Sequence, residues 1–375
     1  MHIADFALER FFARWEFAAP YLLCASDVEG WRMADLLALA DNETRAMWDN
    51  LTLGYTEAAG HPLLRAEIAS LYDGLTADDV LVFAGAEEAI FACMNVLAGP
   101  GERVAAAWPA YQSLFEVARA AGADVDLLPL RHEDGWRLDP AAVRDAIRPS
   151  TRLVVVNFPH NPTGALASRD DFAEIMSAVE ASGVRLFSDE VYRGLERSET
   201  DRLPAAAEVS ERGISLGVMS KSFALAGLRI GWIASRDRAM LARVAAFKDY
   251  LTICSSAPAE VLSIIALRNR DAVLERSRRI VLSNLALLDD FFGRWQGIVE
   301  WVPPRAGSTG FPRIVPPVDI NAFAAELRDD KGVLILPGTL FGYPGAHFRL
   351  GFGRLNMPEA LGRVEEFLAE RFGRP

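Results

Sequence analysis

Cysteine is scarce: Cys24, Cys93 and Cys254 are the whole supply in 375 residues, and they stand too far apart to draw a disulfide framework or a Cys-x-x-Cys metal site. A reducing cytoplasm fits that usage best. The five histidines are equally scattered, and no His-x-x-x-His pair offers a metal two ligands on one helix face. No run approaches the roughly 18 apolar residues of a membrane span. The opening segment sets His2, Asp5 and Glu9 among apolar neighbours and lacks both the basic and the apolar region of a secretion signal. A soluble, untargeted protein is expected, with no membrane partner. Positive charge is also in deficit: 39 Lys plus Arg against 51 Asp plus Glu leave a net charge of -12, which argues against nucleic acid as a partner.

What the chain has is apolar material, 51% of its residues, enough for a large core and two domains. From about Val80 to Ser235, short β-rich runs alternate with alanine-rich helical stretches, the pattern of a mainly parallel sheet with helices on both faces. Seven strands are expected: Val80 to Ala84, Arg103 to Trp108, Asp124 to Leu128, Leu153 to Phe158, Arg185 to Asp189, Ser215 to Ser220 and Arg229 to Ala234. Pro258 to Phe292 reads as one long, charge-laced helical stretch. Beyond it prolines punctuate short apolar runs before a helix near Pro358 to Arg371. The expected fold class is α/β, a three-layer large domain on a seven-stranded mainly parallel sheet plus a smaller α+β domain. The expected division is residues 46–265 for the large domain, with 1–45 and 266–375 forming the small one.

Four clusters converge on one chemistry. Lys221 lies eight residues before Arg229 in a glycine-punctuated segment, Met219 to Trp232, pairing an amine able to condense with an aldehyde and a guanidinium able to clamp an anion. Pyridoxal phosphate carries both groups. Val82 to Ala89 is a strand that ends at Gly85 and opens a helix, so backbone N–H groups there can face an anion, although a glycine at such a turn is by itself more often structural. Asn157 to Gly164 is a turn at the C-terminal end of an apolar strand, where open α/β sheets place ligands, and Asn161 can donate to a ring oxygen. In Ser188-Asp189-Glu190-Val191-Tyr192 an apolar strand runs into an acid, costly unless paired, and a protonated pyridine nitrogen is a suitable partner.

In this order, glycine turn, Asn-Pro-Thr-Gly, Asp-x-x-Tyr, Lys and Arg, the sequence resembles the fold type I pyridoxal-phosphate enzymes, in particular the class I/II aminotransferases, from about Tyr55 to Arg349. The resemblance implies that Lys221 bonds the cofactor aldehyde, that Asp189 partners the pyridinium, and that Asn161 and Tyr192 donate to the ring hydroxyl. By the same likeness Arg229 and the backbone of Gly85, Ala86 and Glu87 hold the phosphate. Tyr111, in Trp108-Pro109-Ala110-Tyr111, is similar to the aromatic that stacks on the ring. Tyr55, in Gly54 to Gly60, resembles the tyrosine that reaches a neighbouring subunit's phosphate, which implies a homodimer with shared sites. Arg349, with Asn161 beside it, is similar to the residues that receive the substrate α-carboxylate. One departure is Val218, where many relatives carry serine three residues before the lysine; Ser220 or Ser222 is the expected replacement.

The resemblance implies transamination between an amino acid and a 2-oxo acid, with a place in amino-acid biosynthesis. A lyase or cyclase acting at Cβ or Cγ shares the same opening step, and sequence does not separate the two. The residues that would decide are expected in loops around Phe17 to Glu29 and Gly307 to Phe311. A noncatalytic sensor keeping the fold is disfavoured by the intact Lys, Asp, Asn, Tyr and Arg set. A nicotinamide dehydrogenase is weaker still, since Gly351 to Asn356 lacks the third glycine of the dinucleotide fingerprint.

Overall fold

The computed structural model describes residues 2–373. Its centre is a seven-stranded sheet made of β1 (Val80–Phe83), β2 (Arg103–Trp108), β3 (Asp124–Pro129), β4 (Thr151–Asn157), β5 (Arg185–Asp189), β6 (Gly213–Val218) and β7 (Gly231–Ala234). The spatial order is β1-β7-β6-β5-β4-β2-β3. Strands β2 to β6 pair in parallel, while β7 runs antiparallel to both β1 and β6. Helices on both faces bury the central strands, which is why β4 to β6 read as nearly unbroken apolar runs rather than alternating ones. Phe187 on β5 is fully buried, and truncating it to alanine would cost roughly 3–5 kcal/mol in transfer and cavity terms.

This topology fixes where chemistry can occur. The parallel strands end on one edge, where Asn157 pairs in register with Asp189 and Asp189 with Leu216. Strand β7 starts at the same edge, Gly231 standing opposite both Val218 and Phe83. Strand bounds differ from the sequence expectation at two places that matter. β6 stops at Val218, leaving Ser220 and Lys221 in the turn that follows. β7 begins only at Gly231, because Arg229 adopts a left-handed conformation with φ 52° that no strand residue holds.

The stretch expected as one helix from Pro258 to Phe292 is two, Ala257–Arg268 and Arg270–Arg294. Asn269 separates them, its side chain bonding back to the Ile265 carbonyl and across to that of Leu39, so a local bond competes with the helical ladder. The C-terminal third supplies a three-stranded antiparallel sheet, Thr309–Gly310, Phe348–Gly351 and Leu336–Pro337, backed by helices Ile320–Lys331 and Met357–Phe372. The N-terminal segment is laid along it: Gly351 N donates to Leu23 O and Glu29 N to Gly353 O. Any side chain at Gly351 or Gly353 would run into the backbone of Ala25 and Asp27, so the glycine pair serves close chain packing.

Candidate active site

Lys221, Asp189, Tyr192, Asn161, Tyr111, Ser220, Arg229, Arg349, Ala86 and Glu87 line one cavity of about 530 Å³ at the carboxyl edge of the sheet, whereas Gly85, Tyr55 and Ser222 do not. Lys221, in the turn after β6, reaches in until its Nζ donates to Ser26 Oγ at 2.9 Å, and it stands 6.0 Å from the Tyr192 ring centroid. Asp189, last residue of β5, is buried, and among the described residues its carboxyl accepts only the Val191 N–H, at 3.2 Å. Burial pushes its carboxyl up to about 7, against the Val191 hydrogen bond and the Lys221 charge, which pull the other way. Asn157 ties the floor together. Its Nδ2 donates to Asp189 O at 2.9 Å, and its Oδ1 accepts from Asn161 N at 2.7 Å.

One end of the cavity is built for an anion. Gly85, at φ 97°, precedes the helix Ala86–Leu97, whose first-turn N–H groups have no intrahelical acceptor. A Cβ on Gly85 would stand 2.6 Å from Arg229 Nη2, and one on Gly231 would stand 2.6 Å from the Gly85 carbonyl carbon and 2.7 Å from Ala86 N. Both glycines are therefore needed for the turn and the guanidinium to close on one small space. Ser220 lines the same cavity, as does the apolar Val218; Ser222 instead donates to Val191 O at 3.2 Å. Glu87 lines this end too, held by Ser113 Oγ at 2.9 Å, with burial raising its carboxyl to about 7.

The other end holds Arg349, 1% exposed. Its Nε and Nη2 donate to Cys24 O, its Nη1 to Asn161 Oδ1 at 3.2 Å, and its guanidinium carbon lies 5.7 Å from the rings of both Phe12 and Phe341. Tyr111 donates its hydroxyl to Glu9 at 2.9 Å and packs on Phe6 at 4.9 Å between ring centroids. The loop expected near Gly307 does not line the cavity; Gly307 lies behind the Tyr192 ring instead. Sequence reasoning expected deciding residues around Phe17 to Glu29, and Ser26 and Asp27 of that segment do line the cavity; the part it missed is the N-terminal helix Ala7–Trp15 and the residue after it, which place Glu9 and Glu16 on either side of Phe12. The spacing of Glu9, Phe12 and Glu16, at i, i+3 and i+7, was the available signal, because it puts them on one helix face.

Tyr192 is 1% exposed, and its hydroxyl, at the cavity wall, has no hydrogen-bond partner among the described residues. An orphan phenol beside a lone buried acid and a reachable amine is what a polar ring ligand would complete. The aminotransferase class I and II family description matches residues 23–364. The chain belongs to the class I and II aminotransferases. Capreomycidine synthase of Streptomyces vinaceus is 31% identical over 98% of this chain and 93% of its own length. A pyridoxal-phosphate-dependent aminotransferase from Streptococcus suis 89-1591 superposes with a TM-score of 0.93 at 29% identity, covering all of both chains. A pyridoxal-phosphate-dependent cyclase, OrfR, superposes at 0.90 with 29% identity over 99% of this chain and 98% of that one.

As a member of this family the chain is a pyridoxal-phosphate-dependent enzyme, and the cavity fits the cofactor. The two-glycine cradle with Arg229 suits a phosphate, lone Asp189 a ring nitrogen, unpartnered Tyr192 a ring oxygen, and Lys221 an aldehyde. Tyr55 of this aminotransferase stands apart from the cavity, 92% exposed.

Proposed function

We propose that the chain moves the amino group of an amino acid to a 2-oxo acid, with Lys221 as its catalytic base. When bound, pyridoxal phosphate supplies an aldehyde that links to amines and a cationic ring that draws electrons from the substrate Cα. Lys221 Nζ anchors that aldehyde between turnovers. Nζ would also be the base positioned to take the substrate Cα proton and carry it back during transfer. Asp189 ionises against the ring nitrogen and keeps it protonated, a role supported by its burial with no ion-pair partner among the described residues. Asn161 and Tyr192 orient the ring oxygen. Tyr111 covers the ring face, while Arg229, Ser220 and the backbone of Gly85, Ala86 and Glu87 hold the phosphate. Arg349, desolvated and flanked by Phe12 and Phe341, receives the α-carboxylate as a paired charge-assisted contact.

The observation that carries this reading is Lys221 Nζ opening into the same cavity as the unpartnered Tyr192 hydroxyl and buried Asp189. Borohydride treatment of the yellow holoenzyme should fix the cofactor on the peptide containing Lys221. An adduct elsewhere, or none at saturating cofactor, sinks the assignment. A homodimer is supported by the exposed apolar side chains Leu53, Tyr55 and Tyr250, which a second copy would cover. The three free cysteines, two of them buried, are in keeping with a cytoplasmic, biosynthetic enzyme.

A second reading, replacement or cyclisation at Cβ or Cγ, is favoured by the synthase relative that spans nearly the whole chain and by the cyclase fold match. Both reactions begin with the same proton removal at Lys221. Incubation with amino acid alone separates them: accumulation of the pyridoxamine form supports transfer, and released ammonia or a changed side chain supports the alternative.

A further inference from the structure

Resting on the reading of Lys221 and Arg349 just given, we propose that the amino acid taken by this site carries a cationic side chain, an amine or guanidinium, received by Glu9 and Glu16. The argument is one of charge placement. Three cations line the cavity, Lys221, Arg229 and Arg349. In the working complex each is committed: Lys221 to the substrate Cα proton, Arg229 to the phosphate and Arg349 to the α-carboxylate. Five carboxylates line it as well. Asp189 is committed to the ring nitrogen, and Asp27 is already held by Arg354 Nη2 at 3.0 Å to both oxygens. Glu87 is bonded by Ser113 at the phosphate end. Glu9 and Glu16 remain, and among the described residues neither has a Lys, Arg or His within salt-bridge distance.

Their position is as informative as their charge. Glu9 and Glu16 flank Phe12 on one face of the N-terminal helix and the residue that ends it, and the Phe12 ring lies 5.7 Å from the Arg349 guanidinium carbon. Two helical turns separate the carboxylates, about 10 Å along the axis. A substrate whose α-carboxylate meets Arg349 therefore extends its side chain along a wall with an acid at either end. Glu9 is fixed by the Tyr111 hydroxyl at 2.9 Å, at the ring-covering residue itself. Among the described residues the Glu16 side chain makes no hydrogen bond; burial raises its carboxyl above the usual range, the charges of Asp27 and Glu9 add to the rise, and those of Arg354 and Lys221 offset part of it. A cation delivered by the substrate relieves that repulsion, whereas a dicarboxylic amino acid adds to it.

The test is a specificity ratio measured on the holoenzyme. L-Arginine, L-ornithine and L-lysine are compared with L-norleucine and L-glutamate by loss of the cofactor's visible absorbance in single turnover. The basic substrates should be favoured by about tenfold or more, and Glu16→Gln should reduce that preference by a similar factor, mainly through KM. Glu9→Gln provides the second arm. Calorimetric titration with α-methyl-lysine against α-methyl-norleucine, which lack the α-proton and do not turn over, reads binding without chemistry and should give the same order. Preference for norleucine or glutamate in the wild type overturns the proposal, as does an unaltered ratio in both variants. Failure of the cofactor reading is distinguishable, since it shows as absence of the absorbance and of the borohydride adduct before any amino acid is added.

Discussion

The cavity has two walls of different origin. The sheet wall, Asn157, Asp189, the turn of Ser220 and Lys221, and Arg229, is made of residues at or just beyond strand ends, with Asn157 and Asp189 paired in register. The helix wall, Glu9, Phe12, Glu16, Ser26 and Asp27, comes from a segment outside the sheet, held by main-chain bonds to the C-terminal strand. A sheet fixes atoms through many cooperative bonds, which suits chemistry that must be repeated for every substrate. A docked helix can vary without disturbing that frame, which suits the choice of substrate. Substitutions on the first wall should thus damage all substrates alike, and those on the second should change the ratio between substrates.

The sharpest test of the sheet wall is Lys221→Ala. If Lys221 is the proposed base, single-turnover transamination should fall by on the order of 10⁴ for basic and neutral amino acids alike. Selective loss for one substrate class would place Lys221 with the specificity residues instead. Next comes Asp189→Asn, which removes the charge proposed to partner the ring. A loss on the order of 10²-fold in kcat, again uniform across substrates, is expected by stopped-flow absorbance.

Asp189 also makes a pH prediction that needs no substrate. Burial raises its folded-state pKa from 3.8 to about 7, so between those values the folded apoprotein holds a proton that the unfolded chain has lost. Stability from this group is full below pH 4 and declines as pH rises toward 7, by up to about 4 kcal/mol at 1.36 kcal/mol per unit. Urea unfolding of apoprotein across pH 4.5 to 7 should show that decline, and Asp189→Asn should flatten it. Cofactor should cancel it too, by giving the carboxylate its cation. An equal pH slope in the Asn variant would mean that other groups, such as Glu87 or Glu190, set the dependence.

The two walls were also unequally legible. Asp189 could be read because an apolar run that ends on an acid is anomalous without a partner, and Lys221 and Arg229 because two cations interrupt strand-like sequence. The seven strands were readable for the same reason, their burial leaving continuous apolar runs between helical stretches. Local backbone choices were not: the left-handed Arg229 and the break at Asn269 depend on contacts made elsewhere in the chain. The helix wall was least visible. Phe12 and Trp15 look alike in sequence, yet Trp15 packs under Arg328 at 3.7 Å while Phe12 faces Arg349. No local pattern separates a packing aromatic from one that lines a site when both lie on one amphipathic helix.

The smallest expected effect concerns the contribution proposed for a second copy of the chain. Tyr55 is 92% exposed and touches nothing in the cavity, yet its segment is firmly held: Thr56 Oγ1 donates to Ser255 O at 3.2 Å, and buried Lys248 donates to both Ala58 O and Ile253 O. A segment so anchored, ending in an exposed phenol beside exposed Leu53 and Tyr250, is preorganised to present that hydroxyl to a second copy. If it reaches the phosphate there, Tyr55→Phe removes one hydrogen bond and should speed cofactor release about two- to tenfold, with little change in the basic-over-neutral ratio. Tyr250→Phe serves as the control, leaving release as in the wild type. Release unchanged in Tyr55→Phe, or a monomer by sedimentation with full activity, would show that the sheet and helix walls of one chain suffice.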